Sequence, residues 1–249
     1  MKLVALIRTL NEAHRIDACC QSYSEFVDDI LIADGGSTDD TVGLALNYPK
    51  VQVREFSKKV ECKNGIWRNP DGEHLNFLYD WAHEIGADWI ISQDCDQRPN
   101  RYLKQDAKDI METTDMNFIL ATQIFLWKKT QFFPDMSRLS KVYDHRKDFG
   151  EGWSHGLWAW RASVNLRAID KMPHYEFSVD GGETSMLPED WEVNKSIDPP
   201  YCFMHFGWET DEMVDKMINY YRLSDLIPVQ AHPLDFCGKP VPIEEWMVE

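Results

Sequence analysis

The stretch WIISQDCDQRP, residues 89–99, decides how this chain is read. An apolar run that reads as a buried strand leads straight into Asp94, Cys95 and Asp96. Two carboxylates one residue apart repel each other and gain nothing from burial, so this strand end is expected to meet something that wants anionic oxygens. In an extended chain, residues i and i+2 point to the same side. That aims both carboxylates at one point and turns Cys95 away. Two hard oxygen donors on one side suit Mg2+ or Mn2+, with phosphate oxygens and water completing the octahedron. A solvated acidic turn before Pro99 explains the same residues, and Asp-x-Asp alone is a common pattern.

Outward from that strand, the first hundred residues alternate. KLVALIRTL is a short apolar strand, and residues 12–25 read as a helix with Ile16 and Ala18 toward the core. DDILIADGG is a second strand ending at Asp34. STDDTVGLALNY follows as a helix, with Ser37 or Thr38 as cap and Asp39 and Asp40 at the positive end of its dipole. KVQVREF is a third strand. GEHLNFLYDWAHEIG places Leu75, Leu78, Trp81, Ala82 and Ile85 at helical spacing. Strand–helix alternation of this kind predicts a parallel sheet covered on both faces, with ligands at the carboxyl ends of its strands. Thr9, Asn11, Glu12, Asp34, Asp94 and Asp96 all fall at that edge.

The pattern changes after a helix around 100–114. NFILATQIFLWKKTQFF and LSKVYDHR read as longer, antiparallel-style strands, followed by a flexible aromatic stretch around Trp153, His155, Gly156 and Trp158. LPEDWEVNKSI reads as a short helix and YCFMHFGW as a last strand. TDEMVDKMINYYRLSDL reads as a helix with Met213, Met217, Tyr220 and Tyr221 inward, and a proline-rich tail follows. The 249 residues suit one α/β domain, dividing into a first half over 1–100, a second half over 101–227 and a tail over 228–249.

Twenty-six Lys and Arg stand against 42 Asp and Glu, a formal charge of −16. No basic run supplies the stripe that a non-specific nucleic-acid binder needs, and the acidic balance fits a soluble protein or one that recruits cations while leaving room for a small basic groove. Six cysteines at irregular spacing read as reduced thiols, and no apolar segment is long enough to span a membrane. These features predict a cytoplasmic protein without stable membrane insertion.

Asp34-Gly35-Gly36-Ser37-Thr38 is the second informative motif. The carboxylate can accept from a base N–H or a ribose hydroxyl, and the glycines let backbone approach a ligand. A tight turn before a capped helix explains the motif equally well. Taken in order, ALIRTLNEAHRI, DDILIADGGSTDDT and an Asp-x-Asp after an apolar strand resemble the nucleotide-sugar-binding half of family 2 glycosyltransferases with the GT-A fold. Glu189-Asp190 in LPEDWEVNK resembles the acidic pair on the family's acceptor side, and HFGW resembles a late histidine segment of some members.

The resemblance implies a metal-dependent, inverting glycosyltransferase using a nucleotide-diphospho sugar, most often a UDP-sugar. Thr9, Asn11, Glu12 and Asp34 would hold base and ribose. Asp94 would contact ribose or metal, and Asp96 would bind the Mn2+ or Mg2+ that bridges the diphosphate, with His205 completing its shell. Asp190 would be the general base, and Glu189 would orient sugar or acceptor hydroxyls. Arg68 and His74 lie where phosphate contacts are expected, and Trp153 where a sugar is stacked. This chain reads His74-Leu75-Asn76 where the family carries an Ala-Arg-Asn-like segment, so that arginine is absent. The acceptor hydroxyl is open among saccharide, lipid-linked sugar, protein, small molecule and modified nucleic-acid base.

Other readings fit less well. A dinucleotide-dependent oxidoreductase wants Gly-x-Gly-x-x-Gly after strand one, and RTLNEAHR has no glycine. A phosphatase carries Asp-x-Asp on its first strand. A nucleotidyltransferase brings a glycine-rich basic loop there. A non-catalytic, metal-dependent sugar- or nucleotide-binding module would keep the carboxylates and tryptophans but have no use for Glu189 and Asp190.

Overall fold

The computed structural model describes residues 1–61, 67–128, 130–132, 155–171, 174–182, 195–215 and 240–247. The first half runs β1 (Leu3–Thr9), α1 (Ile16–Ser24), β2 (Asp29–Asp34), α2 (Thr41–Ala45), β3 (Val51–Glu55), β4 (Val60–Glu61), β5 (Trp67–Arg68), α3 (Asp71–Glu84) and β6 (Trp89–Asp94). It continues with β7 (Gln97–Pro99), α4 (Arg101–Thr113), β8 (Phe118–Trp127), β9 (Gln131–Phe132) and β10 (His155–Arg161). Then come β11 (Leu166–Lys171), β12 (His174–Val179), β13 (Lys195–Trp208) and β14 (Val241–Pro242).

Strands β3, β2, β1 and β6 lie side by side in that order, all parallel. The chain steps from β1 to β2 on one side and reaches β6 on the other, so the strand order reverses between β1 and β6. In open α/β sheets that reversal opens a crevice at the carboxyl ends of the strands. Beyond β6 the sheet turns antiparallel, through β10 to β8. β13 runs parallel to β8 and antiparallel to β7, which carries the chain out of the Asp-x-Asp turn. This is the expected α/β architecture, with a parallel first half and a smaller, mostly antiparallel second region.

The core lies on both faces of this sheet. Leu3, Ala5 and Ile7 of β1 pack with Ile16, Cys19, Cys20 and Tyr23 of α1 and with Leu103, Ala107, Ile110 and Met111 of α4. Val4 and Leu6 pack on the other face with Leu75, Leu78, Trp81 and Ala82 of α3. Burial on both sides is why β1, β2 and β6 read as nearly unbroken apolar runs. Trp158 and Trp160 should share a face by strand alternation, yet they sit in the two opposite cores. A register shift between Leu157 and Ala159 reverses the alternation, and both rings are buried. Cys19, Cys20, Cys95 and Cys202 are free, buried thiols.

Several expectations change. Ala18 is exposed, and the inward face of α1 is Ile16, Cys19, Cys20 and Tyr23, a tighter 3–4 spacing. α2 begins only at Thr41 with no side-chain cap, because Ser37 and Thr38 bond elsewhere. Residues 195–197, read as the end of a short helix, open β13, and the stretch from 155 is strand rather than flexible chain. Among the described residues, no helix is long and apolar enough to cross a membrane.

Candidate donor-binding cleft

A cleft of about 240 Å³ opens where the strand order reverses, lined by Arg8, Thr9, Glu12, Arg68, Asn69, Asp71, His74 and Asp94, with Leu10 at its edge. Strand register builds its floor. Arg8 of β1 and Asp94 of β6 are register partners, so their side chains emerge together. Arg8 Nη2 lies 2.5 Å and Nε 3.1 Å from Asp94 Oδ1. Arg8 Nη1 reaches Asp71 Oδ1 at 3.1 Å, and Arg68 Nη1 reaches Asp71 Oδ2 at 2.7 Å. Burial opposes the charge on Arg8, but Asp94 and then Asp71 outweigh it and raise its pKa above the usual arginine value. The guanidinium is therefore a permanent cation at the base of the cleft.

The second register pair, Thr9 and Asp34, fixes the neighbouring loop. Thr9 Oγ1 donates to Asp34 Oδ1 at 3.1 Å, and Ser37 Oγ donates to the same oxygen at 2.5 Å. Gly36 N–H and Ser37 N–H donate to Asp34 Oδ2 at 3.0 and 2.8 Å. A carboxylate offers about four acceptor sites, and here all are used within the loop. Asn11, at φ 58°, ties this loop to the one after β1: its N–H donates to Ser37 Oγ and its Oδ1 accepts from Thr38 N–H, both at 2.8 Å. Gly35 is needed for close approach, since a Cβ there would lie 2.4 Å from Asn69 Oδ1 and 3.2 Å from Thr9 O.

Asp94 and Asp96 do not converge. β6 ends at Asp94, and the chain turns through Cys95 and Asp96 before β7, so the extended-strand rule stops applying. Cys95 points into the core as expected. Asp94 is held by Arg8, while Asp96 Oδ2 lies 3.3 Å from Arg15 Nη1 and 3.4 Å from His205 Nε2. Asp96 Oδ1 is buried without a hydrogen-bond partner among the described residues. A buried, unpartnered carboxylate oxygen beside an imidazole suits a divalent cation, since each would donate a lone pair. Gly207 leaves room there: a Cβ would lie 2.4 Å from His205 Cε1 and 3.3 Å from Asp96 Oδ2. Among the described residues, no group of three or more His, Cys, Asp or Glu side chains could hold a metal by itself. Further ligands would have to come from the donor's phosphates or from water.

Thr9, Glu12, Arg68, His74 and Asp94 of the expected donor site line one cleft, and Asp96 and His205 stand together beyond it. Asn11 and Asp34 shape the adjoining loop. Trp153, Glu189 and Asp190 lie outside the described residues. Sequence reasoning missed Arg8, Asn69 and Asp71. Arg8 carried a usable signal, a lone charge in an apolar strand, next to its last residue. It also missed Asp170 of β11, whose oxygens accept from Gly72 N–H at 2.9 Å and Glu73 N–H at 3.2 Å, capping α3, whose own cap position is a proline. Asp170→Ala is expected to destabilise the chain by about 1 kcal/mol, readable by urea unfolding; an unchanged midpoint would remove the cap from the account.

His74 lies beneath the cleft, stacked on Phe56 with ring centroids 4.4 Å apart. Its Nε2 is 2.9 Å from Ala33 O, which only accepts, so the proton sits on Nε2. Burial, helped by the charge of Arg8, pushes its pKa down to about 4. The folded chain thus keeps this ring neutral, while an unfolded histidine protonates near pH ~6.5. Its contribution is full above that pH and is lost as pH falls toward 4, a change of about 3 kcal/mol at most. Urea unfolding at pH 7.5 and 5 should show a steeper loss for the native chain than for His74→Gln; equal losses would contradict the assignment.

A parallel first half, a cleft at its strand reversal and a mostly antiparallel second region are the architecture of the GT-A glycosyltransferase fold. No protein-family model matches the chain. Glucosyl-3-phosphoglycerate synthase from Mycobacterium tuberculosis, solved with Mn2+, UDP and glucosyl-3-phosphoglycerate, matches with a TM-score of 0.52 over 96% of this chain and 81% of its own. The identity is 16%, so that likeness is one of fold. In sequence, the chain is 25% identical over 236 residues to an uncharacterized protein of Mycobacterium tuberculosis, covering 90% of this chain and 51% of that protein. It is 27% identical over 152 residues to an uncharacterized glycosyltransferase of Rickettsia felis, covering 58% of this chain and 48% of that one. The chain spans about half the length of the curated relatives it matches.

Proposed function

We propose that the chain transfers a sugar from a UDP-sugar to an acceptor hydroxyl with inversion at the anomeric carbon. The observation that carries this reading is the placement of the cleft. The buried Arg68, the largely covered Arg8 and the Asp96–His205 pair lie near the carboxyl ends of β1 and β6, where a parallel sheet binds nucleotides.

The leaving group is a nucleoside diphosphate, whose developing charge must be met as the anomeric C–O bond breaks. Asp96 and His205 would hold a divalent cation, which acts as a Lewis acid on the departing phosphates. Mn2+ is supported by its presence with UDP in the mycobacterial synthase. Thr9 and Glu12 line the cleft beside the loop that Asp34 braces, where base and ribose would lie. Arg8 and Arg68 present guanidinium groups to the cleft, preorganised by their bonds to Asp94 and Asp71, and could turn toward the diphosphate's oxyanions as it binds. The bonding pair leaves with the diphosphate, the acceptor oxygen bonds to the anomeric carbon, and its proton passes to a carboxylate base. By resemblance that base is Asp190, with Glu189 orienting hydroxyls. A base opposite the leaving group inverts the centre.

UDP release from a panel of UDP-sugars with Mn2+ tests the reading. The native chain should turn over at least one donor. Asp190→Asn should abolish turnover and spare UDP binding. UDP binding without turnover of any donor would favour the binding-module alternative, and a product that keeps the donor's anomeric configuration would refute inversion.

A further inference from the structure

Arg15 stands between the two acidic loops of the cleft edge. It occupies the N-cap position of α1. Its Nε lies 3.3 Å from Glu12 Oε2, its Nη1 3.3 Å from Asp96 Oδ2 and its Nη2 3.2 Å from the sulfur of Met213. The side chain is 10% exposed, and that of Asp96 18%. One nearly buried cation thus faces the carboxylate that offers its other oxygen, unpartnered, beside His205.

We infer that Arg15 is a resident counter-cation of this metal site, and that it makes divalent-cation binding conditional on the nucleoside diphosphate. The inference rests on the proposed cation at Asp96. In the donor-free chain, a divalent ion reaching Asp96 meets a fixed positive charge that already neutralises that carboxylate, and the two cations repel at short range. A diphosphate changes the balance, because it brings excess negative charge and gives the guanidinium an oxyanion to pair with. The existing contacts allow this exchange. At 3.3 Å they are longer than the usual ~2.7–2.9 Å of charge-assisted bonds, so the guanidinium is held but not locked. Metal and donor then favour each other by the same factor, whichever arrives first. A metal-loaded site without donor would waste a Lewis acid on water, and Arg15 disfavours that state.

Mn2+ binding, followed by the loss of the free-ion EPR signal, tests this on the whole chain with and without UDP. The native chain is expected to bind Mn2+ at least about tenfold tighter with UDP. Arg15→Gln is expected to bind Mn2+ about tenfold tighter than the native chain when UDP is absent, and to lose most of the UDP dependence. Arg15→Lys, which keeps the charge, should stay near the native pattern. If Arg15→Gln keeps both native values while Asp96→Ala loses Mn2+, the cation site stands and the role of Arg15 is overturned. If the native chain binds no Mn2+ even with UDP, the cation site fails and the inference with it. Should Arg15→Gln not fold, the native chain still decides: equal Mn2+ affinity with and without UDP overturns the coupling.

Discussion

Arg8→Met is expected to cost about 3 kcal/mol of stability and to abolish measurable UDP binding. Methionine fills much of the same space, so the loss is electrostatic rather than a cavity effect. Arg8 is the only group among the described residues that pairs with both Asp94 and Asp71. Without it, two carboxylates lie at the cleft floor with Arg68 the one cation paired to them among the described residues, and Arg68 pairs with Asp71 rather than Asp94. Asp94 is 46% exposed and can draw on solvent, which holds the estimate at the lower end of the usual range for a broken buried pair. Urea unfolding measures the stability, and calorimetry the binding. Adding Asp94→Asn should restore part of the stability but not the binding. Additive, uncoupled effects would show that the pair does not hold the floor together.

Asp34→Ala is expected to cost about 2–4 kcal/mol and to weaken UDP binding together with stability. The carboxylate accepts from two hydroxyls and two backbone N–H groups, so its removal strands four donors in a half-buried loop. Asp34→Asn should be nearly as damaging, since one oxygen becomes a donor facing donors. A residue whose main task was to touch the base would behave differently, with binding lost at unchanged stability. That outcome would return Asp34 to direct base recognition.

The two predictions concern residues of unequal legibility. Asp34 stood out in the sequence because a carboxylate before two glycines at a strand end is conspicuous. What it bonds to was not legible, since Thr9 becomes its partner only once β1 and β2 are aligned in register. Arg8 was visible as a charge in an apolar strand, but its partners lie 63 and 86 residues away. The parallel half was legible because strands buried on both faces are apolar throughout, and helices betray their inward face by spacing. Local irregularities hid the rest. The turn at Cys95 sends Asp96 to Arg15 rather than alongside Asp94, and the shift in β10 separates Trp158 from Trp160. The capping of α3 by Asp170 depends on the β11–β12 hairpin docking on that helix, which no local pattern encodes.

A divalent cation and a nucleoside diphosphate are proposed to meet at Asp96. The most direct measurement is calorimetric titration of UDP into the native chain and into Asp96→Ala, each with and without Mn2+. UDP binding should depend on Mn2+ in the native chain and be lost in the variant. Equal UDP binding by both chains in the presence of Mn2+ would contradict it.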